Sequence, residues 1–166
     1  MRARMLIVAI SLVAAATSAA VAAPVARSER GVTIASASDD SPGVLDAHAR
    51  KRHGEIMRRA LRDVLQRAGA EVRYAASGAR QGMQQIDAAV VAWHVAQDAA
   101  QLSVSAELRV VVCDDRGKML SIVTGRASVS SPIRGARLAE LREQALAEAV
   151  GALSRSLPSQ LARATS

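Results

Sequence analysis

Leu102-Ser103-Val104-Ser105-Ala106-Glu107-Leu108-Arg109-Val110-Val111-Val112-Cys113 is the stretch that decides the fold. Leu102, Val104, Ala106, Leu108, Val110 and Val112 alternate with Ser103, Ser105, Glu107, Arg109, Val111 and Cys113, a period of two held across twelve residues. This is a β-strand with one apolar face. Asp114-Asp115-Arg116-Gly117 follows as a turn, with Gly117 where a positive φ is needed, so residues 119 to 130 are expected to return as the second arm of a hairpin. Gly125 in that arm predicts a bulge or a close backbone approach, and Ser131-Pro132 ends it. Upstream, Ala89, Val91, Trp93 and Val95 alternate with Val90, Ala92 and His94. Both sets are largely apolar, as expected of a strand covered on both sides.

Helical periodicity brackets these strands. Ser41-Pro42 offers an N-cap and a first-turn proline, so a helix is expected there or within the next turn. Its body, residues 45 to 68, spaces Ile56, Met57, Ala60, Leu61, Val64, Leu65 and Ala68 by threes and fours, and Gly69 stops it. On its polar face Glu55 and Asp63 stand four residues from Arg59, and Asp63 four from Arg67, in position to pair. Residues 137 to 157 form a second long helix, with Leu138, Leu141, Ala145, Leu146, Ala149, Val150 and Leu153 on one face and Glu140, Glu143, Glu148 and Arg155 on the other. Pro158 closes it, leaving 159 to 166 as a disordered tail. Residues 75 to 85 read as a connection holding a helical turn. Residues 23 to 43, with Val32 and Ile34 in a β-permissive stretch, are either a flexible arm or a first strand. The expected fold is α+β: a single domain over 44 to 158, a two-layer sandwich with two amphipathic helices packed on one face of a mainly antiparallel three- to four-stranded sheet.

The length, 166 residues, supports one domain of ordinary size. Half the residues are apolar, yet Trp93 and Tyr74 are the only aromatics, so the core is aliphatic. A stacking-based reader of nucleic acid is excluded on that ground, and no nucleic-acid partner is expected. The single Cys113 excludes an internal disulfide framework and a multi-cysteine zinc site.

Residues 1 to 22 read as a signal peptide, with Arg2 and Arg4 before an apolar run and Ala20-Val21-Ala22 as a small-residue cleavage site. Cleavage after Ala22 leaves no stable membrane span; the competing reading is an uncleaved anchor, because the uncharged run continues to Val25. No cysteine stands at the cleavage point, so a lipid anchor is not supported. Abundant Ala and Arg with only Lys51 and Lys118 suggest a GC-rich bacterial source, and the expected location is periplasmic or secreted. Removing Arg2 and Arg4 lowers the formal charge from +7 to +5, still a balance that favours weak, salt-sensitive association with anionic partners.

Ile86-Asp87-Ala88-Ala89-Val90-Val91 opening a strand, the long strand closing on Leu108-Arg109-Val110-Val111-Val112-Cys113-Asp114, a Gly-Lys turn, a return strand through Gly125 and an Ala/Glu-rich helix together resemble the small α/β domains of bacterial envelope proteins. The order of elements over residues 45 to 157 is similar to that of the N-terminal domain of the Tol-Pal periplasmic component and of the curli-secretion and lipopolysaccharide-assembly lipoproteins. The resemblance implies an adaptor used in outer-membrane assembly. It assigns no binding residue, and the missing lipobox cysteine departs from the lipoprotein members.

Arg50, Lys51, Arg52, Arg58, Arg59 and Arg62 make the densest positive surface. As a site it would grip phosphates, for which arginine supplies a bidentate fork; Glu55 and Asp63 dilute it. His48 and His53, five apart on a helix, project about 140° from each other and do not converge on a metal, so both are expected on the solvated face. Trp93 is expected beneath the helices and His94 on the opposite face. Asp114 and Asp115 are explained by turn chemistry, since two adjacent carboxylates fall short of a calcium site. Cys113 is either an exposed thiol able to dimerise the chain or a buried small apolar residue.

No G-x-S-x-G, H-E-x-x-H, Walker loop or G-x-G-x-x-G is present, and Gly78 and Gly82 bracket a segment matching none of them. The sequence therefore reads as an exported periplasmic, non-enzymatic adaptor or binding module of the cell envelope, needing no cofactor and no metal. Its partner would be an envelope protein held on a sheet edge, or an anionic envelope polymer or lipid held by the basic helix. A small secreted hydrolase is the third reading. Oligomeric state is not fixed by sequence.

Overall fold

A computed structural model describes residues 31–43, 46–74 and 82–163. The signal segment, its cleavage point and most of the connection expected over 75 to 85 lie outside the described residues. In chain order the elements are β1 (Val32–Asp39), α1 (Ala47–Arg67), β2 (Val72–Tyr74), β3 (Gln84–Gln97), β4 (Gln101–Cys113), β5 (Met119–Pro132), α2 (Leu138–Ala152) and α3 (Ser156–Arg163).

The α+β expectation holds at the level of class, with five strands in place of three to four. They form one sheet in the order β2-β1-β3-β4-β5. It is mixed: β1 runs parallel to both β2 and β3, whereas β3, β4 and β5 form an antiparallel meander. The cause is the stretch left open as an arm or a strand. Val32, Ile34 and Ala37 are apolar enough to bury, and α1 supplies the crossover a parallel β1–β2 pair requires.

Both long helices cover the same face of the sheet, α1 over β1 and α2 over β4 and β5, and they touch each other. The alternation of β4 is obeyed: Val104, Ala106, Leu108, Val110 and Val112 are fully buried beneath the helices. Met57, Leu61 and Leu65 of α1 and Ala145, Leu146, Ala149 and Val150 of α2 close the core from above. Burying a Leu or Val of this kind contributes roughly 1.5–3 kcal/mol, so this interface dominates stability. Gly125 makes the predicted close approach rather than a bulge. A Cβ there would stand 2.7 Å from the Ala149 carbonyl oxygen and 2.9 Å from Leu153, which lets α2 lie directly on β5.

β3 corrects the reading of a strand covered on both faces. The pairing with β4 shifts between Val90 and Ala92, where one residue is bulged, and the alternation changes sign. Ile86, Ala88 and Val90 face the helices before the bulge, and Trp93, opposite buried Ala106, faces them after it. Two one-sided patterns joined out of phase imitate a two-sided one.

Helix ends depart from expectation in three places. Asp46, not Ser41, caps α1, its Oδ1 accepting the Ala49 N–H at 2.6 Å. Gly69, at φ +82°, ends it as expected. The anticipated pairs of Arg59 with Glu55 and Asp63 do not form; Arg67 instead donates to the Asp63 carbonyl at 3.0 Å. At the other end of the chain α2 stops before Leu153, and Pro158 sits in the first turn of α3, where a missing N–H is harmless. Ser159 to Arg163, expected in a disordered tail, are helical. Leu157 and Leu161 are buried, and Gln84 Nε2 donates to the Leu161 carbonyl at 3.1 Å. No described helix is long and apolar enough to cross a membrane.

Candidate functional site

The six basic residues of α1 do not form one surface. Arg50 turns inward, donating through one nitrogen to the Asp39 carbonyl at 2.5 Å and through the other to the Ser41 and Gly43 carbonyls at 3.1 and 3.3 Å. Its guanidinium closes the loop that follows β1. Arg52 reaches across to α2 and pairs with Glu143 at 2.6 Å. Lys51, Arg58 and Arg59 are exposed and make no ion pair among the described residues, and Arg62 is half-buried beside them. The positive surface is thus the outer flank of α1, smaller than the sequence suggested.

His53 overturns its expected place on the solvated face: it is 3% exposed. Its Nδ1 lies 2.6 Å from Asp39 Oδ2 and donates to it. Trp93 Nε1 donates to the same oxygen at 3.1 Å. Ser41 donates to Oδ1 through both its hydroxyl, at 2.5 Å, and its backbone N–H, at 3.2 Å. The imidazole also leans on the Trp93 ring, centroids 5.1 Å apart, and the Arg142 guanidinium lies 5.9 Å from that ring's centre. One carboxylate at the end of β1 therefore ties together β1, α1 and β3, and α2 joins through Arg142. A signal for His53 was present, because it precedes Met57 by four residues and so prolongs the buried stripe of α1. Asp39 and Ser41 gave none, lying in a Ser- and Asp-rich stretch.

Burial alone would raise the Asp39 pKa, and the hydrogen bonds from His53, Ser41 and Trp93 more than offset it, holding the carboxyl at about 2 against an ordinary 3.8. Because the native value is the lower one, the stabilisation is complete above pH 3.8 and is lost as pH falls through about 2. A shift of this size corresponds to about 2 kcal/mol. In urea titrations between pH 5 and pH 2, the stability gap between the wild type and Asp39→Asn is expected to narrow. A gap independent of pH would contradict this account.

Chemically the cluster is a clasp. In an acyl-transfer triad the serine hydroxyl sits on the imidazole, whereas Ser41 sits on the carboxylate, on the far side from His53. The remaining candidates lie outside the clasp. His94 is exposed on the face away from the helices, as expected. Cys113 is 9% exposed, and burial first, then the Asp87 and Asp114 carboxylates, push its thiol pKa up. Asp114 Oδ1 accepts the Arg116 and Lys118 N–H groups at 2.9 and 2.8 Å, and Asp115 accepts that of Gly82 at 2.8 Å. Among the described residues no group of three His, Cys, Asp or Glu side chains could hold a metal ion.

Two surfaces stand out for binding: the flank of α1, and the outer edge of β5, which pairs with β4 and with no other described strand and is far longer than the sheet's other edge strand, the three-residue β2. Met119 and Ile122 are 57% and 52% exposed near the start of that edge.

No protein-family model matches the chain, and no curated protein sequence matches it significantly. Solved structures do share its fold. A minor lipoprotein from Acinetobacter baumannii is 10% identical, with a TM-score of 0.50 over 80% of this chain and 92% of its own. A neuraminyllactose-binding hemagglutinin homolog from Helicobacter pylori is 12% identical, with a TM-score of 0.50 over 81% of this chain and 87% of its own.

Proposed function

We propose that this protein is an exported, non-enzymatic binding module of the bacterial cell envelope, docking a partner protein on the β5 edge of its sheet. The observation that carries the reading is β5, a 14-residue strand whose outer side meets no described strand. The export pattern of residues 1 to 22 and the fold shared with a minor lipoprotein from Acinetobacter baumannii support the compartment. The buried clasp supports a rigid scaffold, because it fixes the sheet to both helices.

Affinity capture from native envelope extract tests the reading, using the full chain as its host processes it and parallel washes at low and high salt. A protein partner retained at high salt is the expected result, since backbone pairing and apolar contact resist screening. Recovery of polymer or lipid alone, lost at high salt, favours the second reading: an anionic ligand on the flank of α1. That reading rests on the exposed, unpaired Lys51, Arg58 and Arg59. It requires Arg58→Glu plus Arg59→Glu to abolish recovery.

A further inference from the structure

We infer that the partner of the β5 edge is an extended acidic segment, added to the sheet as a sixth strand. The inference rests on the binding-module reading and assigns the chemistry of its partner.

The edge is regular. From Ser121 to Pro132 the register with β4 is unbroken, and its one shift falls back at the turn, beside Cys113. Ile133 N–H bonds to the Ala100 carbonyl at 3.0 Å, which sets the parity. In an antiparallel pair every second residue directs its N–H and C=O at the neighbour. Odd-numbered residues of β5 thus face β4, and Ile122, Thr124, Arg126, Ser128 and Ser130 point their backbone groups outward. Pro132 obeys the same parity: its missing N–H falls on the outward side, costing the ladder nothing. Five successive outward positions offer donor and acceptor to an incoming strand.

Charge selects the occupant. From position 116 to 137 the sequence holds Arg116, Lys118, Arg126, Arg134 and Arg137 and no acid. Arg126 is paired with Glu107 of β4, and Arg137 with Glu140. Arg116, Lys118 and Arg134 make no ion pair among the described residues and stand at the two ends of the strand. An antiparallel second copy would bring the Lys118 end of one strand against the Arg134 end of the other, which opposes self-pairing. An acidic strand meets cationic side chains at both ends, the Asp114 and Asp115 carboxylates of the adjoining turn being engaged by the Arg116, Lys118 and Gly82 N–H groups. Ile122, exposed between them, gives it one apolar contact.

The test uses a ten-residue peptide of alternating Thr and Glu with a central Val, and the same peptide with Lys for Glu, titrated into the isotope-labelled full chain. The Glu peptide is expected to shift amide signals along Met119–Pro132, and the Lys peptide to bind at least roughly tenfold more weakly. Thr124→Pro, which removes an outward donor, is expected to weaken the Glu peptide roughly tenfold. Lys118→Glu plus Arg134→Glu, on exposed side chains, is expected to reverse the preference between peptides, and it decides the matter if the proline variant does not fold. The inference is overturned by shifts mapping to α1, by binding indifferent to these variants, by no binding at millimolar peptide, or by a dimer that Thr124→Pro dissolves. Envelope capture with Thr124→Pro separates the two levels. Retention of the same partner removes the edge and keeps the binding module, whereas peptide binding at β5 with nothing captured from envelope does the reverse.

Discussion

Asp39→Ala is expected to destabilise the protein by about 3 to 5 kcal/mol, a large share of the total stability of a domain this size. The carboxylate accepts from His53, from Trp93 and twice from Ser41. Its removal leaves those donors unpartnered where His53 and Ser41 are 3% and 2% exposed and water has little access. Leaving a buried polar group unsatisfied costs about 1–3 kcal/mol, and several are orphaned together. Asp39→Asn keeps the shape and the acceptor oxygen but loses the charge, so it is expected to fall between Ala and the wild type. Urea denaturation followed by Trp93 fluorescence reads both effects. A loss under 1 kcal/mol for Asp39→Ala would show that the clasp is decoration on a core stable without it.

Gly125→Ala is the second large effect, expected at about 2 to 3 kcal/mol for a single added methyl. Its Cβ would enter a space already held by the Ala149 carbonyl at 2.7 Å, and backbone of α2 cannot swing aside as a side-chain tip can. Relief requires α2 to lift from β5, opening the contact between Leu153 and the sheet. Gly151 supplies the control: it lies in α2, exposed, with nothing within 4 Å of a built Cβ. Gly151→Ala is therefore expected to stabilise by about 0.5–1 kcal/mol through helix propensity. Opposite signs for the same substitution in contacting elements, measured as denaturation midpoints, would establish that helix-to-sheet distance sets the cost. Equal signs would refute it.

What the sequence disclosed follows the range of the interactions involved. The β4–β5 hairpin is written in residues that touch each other, alternation on both arms and a Gly117 turn between them, and it was legible down to the turn. The stripe of α1 and most of that of α2 were legible for the same reason. The place of β1 was not, because its neighbours in the sheet come from far along the chain and its own composition, with two serines and two alanines among eight residues, declares no face. The bulge in β3 concealed which side Val90 and Trp93 share, since both phases of the strand are apolar. Arg50 misled in another way. A basic residue among basic residues reads as surface, and only the tertiary structure reveals three carbonyls converging on it. The clasp was half legible: His53 continued a helical stripe, but its acceptor is supplied by another element.

The position of β1 also governs the order in which the molecule can assemble. β3, β4 and β5 are joined by short turns and can find one another locally, whereas Val32 must meet Gln84 across the whole α1 segment. Contacts between distant parts of a chain carry the larger loop-closure entropy and form more slowly. The meander is the natural nucleus, and the chain's first strand is the last to dock, sealing the gap between β2 and β3. Until it does, β3 presents an open edge from Gln84 to Val90 beside an exposed apolar face, so the transient hazard of aggregation lies there, on the half of the strand that β1 covers in the finished molecule.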